Sequence, residues 1–363
     1  TNGAETYSST FDVNIAPQSS QEYEIDSLEL DRDNHNSVVF EYFTGDFLIA
    51  SEQIILSEGK LSADINSDGK TTVKPSENKL YITFDNGSMI FDKSTGFITS
   101  YIYKNHEMIN SFPLGDFKGF APAFYRAPLD NDRNICKYWH KMGLQNTSNI
   151  CKGSSFTDNG DNIVVTTNIK SLANCILPVA NTQIKYTIYP NGNILVDVNC
   201  LGGGAVKLLP RFGVMLEMPK EYENIKYFGL GEDVNLPDYK EHTINKVYQT
   251  TVDKLKEDYI KPQESATRCD VRFAEITNAS GFGLRFEAVN KPFIFSASHY
   301  TSNQWAKAMH RDDLVDLPTT CVNIDSSVLG AGSNACGPLP DKKDRVGSLS
   351  GKKLSFVVKS IGE

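Results

Sequence analysis

The chain has 363 residues, 40% of them hydrophobic and 22% charged, which gives material for one large core plus a smaller module. Its net charge of -9 repels phosphate backbones and anionic lipid. That excludes nucleic acid and membrane as main partners and leaves neutral substrates such as sugars open. No run reaches the eighteen or so uncharged apolar residues of a membrane helix.

The opening Thr1-Asn2-Gly3-Ala4-Glu5 lacks a basic and then apolar leader pattern, so no signal peptide is expected. It also lacks an initiator Met, as a processed or excised piece would. Seven scattered cysteines, none spaced C-x-x-C, argue against a disulfide framework and a Cys-based zinc site. They lean toward a cytoplasmic setting over a periplasmic or secreted one.

In chain order, Phe11-Asp12-Val13-Asn14-Ile15 alternates as a half-buried strand does. A polar stretch near Ser57 to Asn78 reads as a linker, dividing the chain into a small β-module (1–58), a linker (59–77) and a large β-domain (78–363). Within the linker, Asp64, Asn66 and Asp68 with Gly69 open like a calcium loop. The twelfth place, where calcium takes a bidentate Glu, is Pro75, so a solvated turn is the better reading. Leu80–Phe84 alternates and ends in Asp85-Asn86-Gly87, a hairpin signal. Strand patterns recur at 162–169 and 182–189. Pro190-Asn191-Gly192-Asn193 then turns the chain into Ile194–Val198, and strands continue through 272–276 to 354–358. With no βαβ alternation, the fold class is all-β, built of antiparallel sandwiches.

The densest polar cluster is Arg126-Ala127-Pro128-Leu129-Asp130-Asn131-Asp132-Arg133. A glycosidase needs two carboxylates about 5 Å apart for retention or about 6.5–9.5 Å for inversion. In an extended segment Asp130 and Asp132 would point alike. Two adjacent guanidiniums would keep both ionised, and a general acid must hold a proton. Arg126, Asp130, Asn131 and Asp132 are therefore expected to anchor a loop. Trp139 and Trp305 are the only tryptophans. Either could stack on a sugar, though a Trp on a strand more often fills core. His299 and His310 flank Trp305 without metal-ligand spacing.

Seven segments together resemble the C-terminal region of glycoside hydrolase family 2 β-galactosidases. Tyr125-Arg126-Ala127-Pro128-Leu129-Asp130-Asn131-Asp132 is similar to the family's R-A-P-x-D-N-D motif. Lys137–Leu144 resembles W-x-x-x-G-L, and Leu209-Pro210-Arg211-Phe212-Gly213 resembles L-P-R-x-G. Phe228–Asp238 is similar to G-x-G-P-x-E-N-Y-x-D-R, and Tyr259–Glu264 with Asp270-Val271-Arg272 to Y-x-x-P-Q-E and D-V-R. Val322–Asp325 with Leu329–Pro338 resembles the closing D…G-x-G-x-x-S-W/C-G-P element, and Ala50–Leu56 resembles A-W-E-Q-F-x-L.

The resemblance implies a partial immunoglobulin-like sandwich followed by a large supersandwich akin to galactose mutarotase. It places both catalytic acids on a separate TIM barrel, on the same polypeptide or in a large subunit, which would be this chain's partner along with carbohydrate. It implies no catalytic residue and no cofactor here; whole enzymes of the family can use magnesium and sodium. It sets Cys336 where some members carry a sugar-platform Trp, a role that a thiol cannot fill. A site rim of Cys336, Asn334, Trp305, His299 and His310 is the expectation. Ser51, the missing Tyr and Arg of the 232–239 loop, and the missing Asn-Gly after Glu264 point to a divergent member, whose substrate need not be lactose. A stand-alone carbohydrate-binding or mutarotase-like module, working through a poised His and Glu264, is the alternative. A purely structural module is a third.

Overall fold

A computed structural model describes residues 1–24, 30–61, 65, 68–109, 119–333 and 336–362. Among these residues the strands form four sheets. The largest has nine strands. In spatial order they are Ile244–Thr251, Asn224–Gly231, Phe273–Thr277, Gly283–Ala288, Lys353–Ile361, Ile194–Gly203, Leu177–Ile188, Ile163–Ala173 and Thr147–Asp158. Every pairing in it is antiparallel. The last strand of the chain lies at the centre of this sheet, between Ile194–Gly203 and Gly283–Ala288, so it zips two halves formed earlier in the sequence.

A five-stranded sheet runs Arg268–Val271, Phe293–Ser298, Thr319–Val328, Arg211–Pro219 and Ala121–Ala123. A second runs Thr72–Pro75, Lys79–Phe84, Gly87–Asp92, Phe97–Tyr103 and His106–Glu107. Period-2 burial follows from the pleat: in Ile163–Ala173 the residues Ile163, Val165, Thr167 and Ile169 are buried and their neighbours are not. Arg211–Pro219 departs from this, being buried on both faces over its first eight residues. Inward residues of all three sheets, among them Ile82, Phe91, Val165, Val196, Val214 and Ile324, belong to one apolar core.

The turn signals act through positive φ. Asn86 (φ 62°) closes the hairpin between Lys79–Phe84 and Gly87–Asp92, and Gly192 (φ 84°) closes the one before Ile194. Inside the expected linker, Thr72–Pro75 pairs with Lys79–Phe84 as a strand. Asp64 and Asn66 of the calcium-like loop lie outside the described residues, and Asp68 is exposed.

The first 58 residues contribute one described hairpin, Asn36–Thr44 with Phe47–Ser57. Phe11–Ile15 carries no ladder, and Phe11, Val13 and Ile15 are exposed. Alternation supplies a strand's side chains, but a strand also needs a partner for its backbone groups. The hairpin is held to the large sheet by Gln53, whose amide imitates a neighbouring strand. Its Oε1 accepts from Asn245 N at 2.7 Å and its Nε2 donates to Asn245 O at 2.8 Å.

Candidate functional site

The sequence motifs meet around the chain from Leu329 to Pro338. The first support is Arg126. Leu129 leads into a 3-10 turn, Asp130–Asp132, and this turn points the two acids apart. Asp130 is exposed, while Asp132 is buried against Arg126, Nη1 to Oδ2 2.6 Å. The expectation that they point alike fails because the segment is helical here rather than extended. Arg126 Nη2 donates to Leu329 O at 3.2 Å, and its guanidinium lies 5.7 Å from the Trp139 ring. Asn131 Nδ2 donates to Gly332 O at 2.5 Å.

The second support is Arg211, which opens the doubly buried strand. A guanidinium without water needs partners on every side. Nη1 donates to Asn323 Oδ1 at 3.0 Å, Nη2 donates to Glu264 Oε1 at 3.2 Å, and Nε lies 3.0 Å from Asp325 Oδ2. One cation thus faces two carboxylates. The Asp325 carboxyl is pushed up to about 7 by burial, which outweighs the pull of Arg211, and the Glu264 charge pushes the same way. Gly213, opposite Asp325 in the ladder, makes room: a Cβ there would meet Asp325 Oδ1 at 2.2 Å.

Glu264 also joins the two supports. Its Oε2 accepts from Ala127 N at 3.0 Å, and the neighbouring Gln263 Oε1 accepts from Asp130 N at 2.7 Å. The third support is Asp238, whose two oxygens accept from Ala331 N (2.7 Å) and Gly332 N (2.8 Å). A Cβ on Gly330 would sit 2.4 Å from that carboxylate, so the approach requires glycine. Arg211, Asp238 and Asp325 lay within motifs read from the sequence but had no role there. Their signal was charge inside strand or glycine-rich segments, where burial demands a partner.

Beyond Gly332, Ser333 O accepts from Cys336 N at 3.0 Å and from Gly337 N at 2.5 Å. Cys336 is exposed, and Asn334 lies outside the described residues. Trp305 and Trp139 are both buried, but on the helices Ser302–Lys307 and Cys136–Met142 rather than on strands. Thr301 and Gln304 cap the former reciprocally, and Gly143 (φ 73°) ends the latter. Trp305 lines a cavity of about 20 Å³ with Glu264, Tyr300 and Asn323, the space of a single water. Neither histidine lines that cavity. His299 is buried with Nδ1 3.3 Å from Thr319 O, and His310 is exposed at the start of a turn, its N–H donating to Asp313 Oδ2 at 2.9 Å.

Chemically, the cluster is suited to holding backbone. Asp325 is fully buried, and both Glu264 oxygens are engaged. A general acid or base must reach the proton it moves.

Comparison with known proteins agrees with this distribution of motifs. A β-galactosidase of Actinobacillus pleuropneumoniae is 28% identical over 93% of this chain and 33% of its own length. One from Staphylococcus xylosus is 25% identical over 80% of this chain and 29% of its own. The chain therefore spans about a third of the length of these curated relatives. Among solved structures, galactose 1-epimerase from Lactobacillus acidophilus covers 91% of this chain and 100% of its own, at 7% identity and a TM-score of 0.43. A GalM/aldose epimerase homologue from C. elegans covers 80% and 99%, at 10% identity and a TM-score of 0.42. The family model described as β-galactosidase small chain matches residues 83–358, the greater part of the sequence, and the protein belongs to that family.

Proposed function

We propose that this chain is the C-terminal, non-catalytic part of a glycoside hydrolase of family 2 that removes terminal β-galactosyl residues. Its 329–338 loop forms one side of the active-site mouth. The catalytic nucleophile and general acid/base belong to a TIM-barrel region or large subunit, and this chain aids its assembly and helps close it over carbohydrate. Magnesium and sodium belong with that remainder. The observation that carries the reading is the convergence of Arg126, Asn131 and Asp238 on the backbone of Leu329 to Gly332. Such redundancy fits a loop whose position matters to something outside the chain. The engaged state of Glu264 and the sealed position of His299 favour it over a self-sufficient mutarotase-like module.

The test is hydrolysis of an aryl β-galactoside by the purified chain, with and without a catalytic-barrel fragment from the same source. No activity alone, with activity restored or raised on mixing, is the expected result. Hydrolysis by the chain alone overturns the proposal.

A further inference from the structure

Two routes lead from the Arg211 cluster to Leu329, the root of the 329–338 loop. On one side, Leu329 N donates to Pro210 O at 2.9 Å, and Pro210 is joined directly to Arg211. On the other, Leu329 O accepts from Arg126 Nη2 at 3.2 Å. The next residue, Ala127, gives its N–H to Glu264 Oε2 at 3.0 Å. Asp325 lies on the strand Thr319–Val328 that runs into the loop.

The charges of the cluster do not balance. Arg211 is 1% exposed and faces two acids, Asp325 at 0% and Glu264 at 7%. The adjoining strands add no charge at this point. Asn323 and Ser296, which accept from Arg211, are neutral, and Gly213 and Ile294 flank Asp325 in the ladder. With both acids ionised, one net negative charge stays out of water, which is costly. Asp325 is the acid less firmly held. Each Glu264 oxygen takes a hydrogen bond, whereas neither Asp325 oxygen makes an aligned one among the described residues. Burial and the Glu264 charge push the Asp325 carboxyl up to about 7, against the pull of Arg211. The cluster is therefore neutral while Asp325 carries a proton. It becomes negative when that proton leaves to solvent.

Losing the proton changes the pull on Arg211. The guanidinium is then drawn toward Asp325 Oδ2, 3.0 Å from Nε, at the expense of Glu264, 3.2 Å from Nη2. Pro210 moves with Arg211, and Ala127 depends on Glu264, so both holds on Leu329 slacken together. Asp238 grips Ala331 and Gly332 separately, further along the loop.

We propose that the Arg211–Glu264–Asp325 cluster is a proton-operated latch on the 329–338 loop. A proton on Asp325 holds the root at Leu329, and its release as pH rises loosens it. The latch is a property of this chain and stands whether or not the hydrolase reading does.

The experiment is hydrogen exchange on the full chain from about pH 5.5 to about pH 8.5, each rate divided by that of an unstructured peptide at the same pH. Protection of the Leu329 amide should fall about tenfold across this range. In Asp325→Asn, which has no proton to release, protection should not change with pH. In Glu264→Gln, the charge that helps to retain the proton is gone, and the fall should move to lower pH. A flat profile in the parent, an equal fall in Asp325→Asn, or an unmoved profile in Glu264→Gln overturns the proposal. So does an equal fall at the turn amides of Gly192 and Gly281 in the nine-stranded sheet, since the change would then not belong to the loop. Fragment mixing tests the proposed function separately, and neither of its outcomes alters this result.

Discussion

Asp325→Asn isolates the most unusual charge arrangement in the protein. Asp325 is fully buried beside Arg211, which it shares with Glu264. Its folded pKa of about 7 stands above the ordinary carboxylate value of 3.8. Between those values the folded state holds a proton that the unfolded chain releases, so this group's stabilisation falls as pH rises from about 4 to about 7. The slope is at most about 1.4 kcal/mol per pH unit. Asparagine resembles the protonated acid and does not titrate. Urea unfolding of both proteins at about pH 5 and about pH 8 should show the variant gaining on the parent as pH rises, by up to about 3 kcal/mol. Carboxylates elsewhere with lowered pKa values, such as Asp316 and Glu287, titrate in both proteins and cancel in the difference. A stability difference that stays constant between the two pH values refutes the reasoning. It would mean that Asp325 keeps one protonation state throughout.

Arg211→Met leaves Glu264 without its cation and should cost about 3–5 kcal/mol in urea unfolding, as loss of one member of a buried pair does. Gly213→Ala forces a methyl group onto Asp325 Oδ1 and Ile324 O, with an expected loss of about 1–3 kcal/mol in the same assay. Asp238→Ala frees two amides, and hydrogen exchange at Ala331 and Gly332 should speed up about tenfold or more. In the fragment-mixing assay this variant should raise KM more than it lowers kcat, since the loop is proposed to border the active-site mouth and to carry no reacting group.

Much of the fold was legible because it depends on short-range rules. Alternation at 80–84, 163–169 and 194–198 and the turns at Asn86 and Gly192 specify antiparallel hairpins through pleat and backbone φ alone. Alternation misled at Phe11–Ile15, which pairs with no strand among the described residues. Composition misled at Thr72–Pro75, where a polar segment pairs with Lys79–Phe84. The helices bearing Trp139 and Trp305 span seven and six residues, too short for a 3.6-residue period to stand out.

The site divides in the same way. The residue types and their order in seven motifs were in the sequence, and so was the family they point to. Which charges share a partner was not. Arg211 meets Glu264, Asn323 and Asp325 across 53 to 114 positions, and Asp238 reaches the loop across 93. Gln53 fastens the hairpin to Asn245 across 192 positions, and Arg272 reaches Glu58 across 214. A sequence determines local geometry because neighbouring residues constrain one another directly. Burial, and with it the protonation of Asp325, is decided only when distant strands close and exclude water.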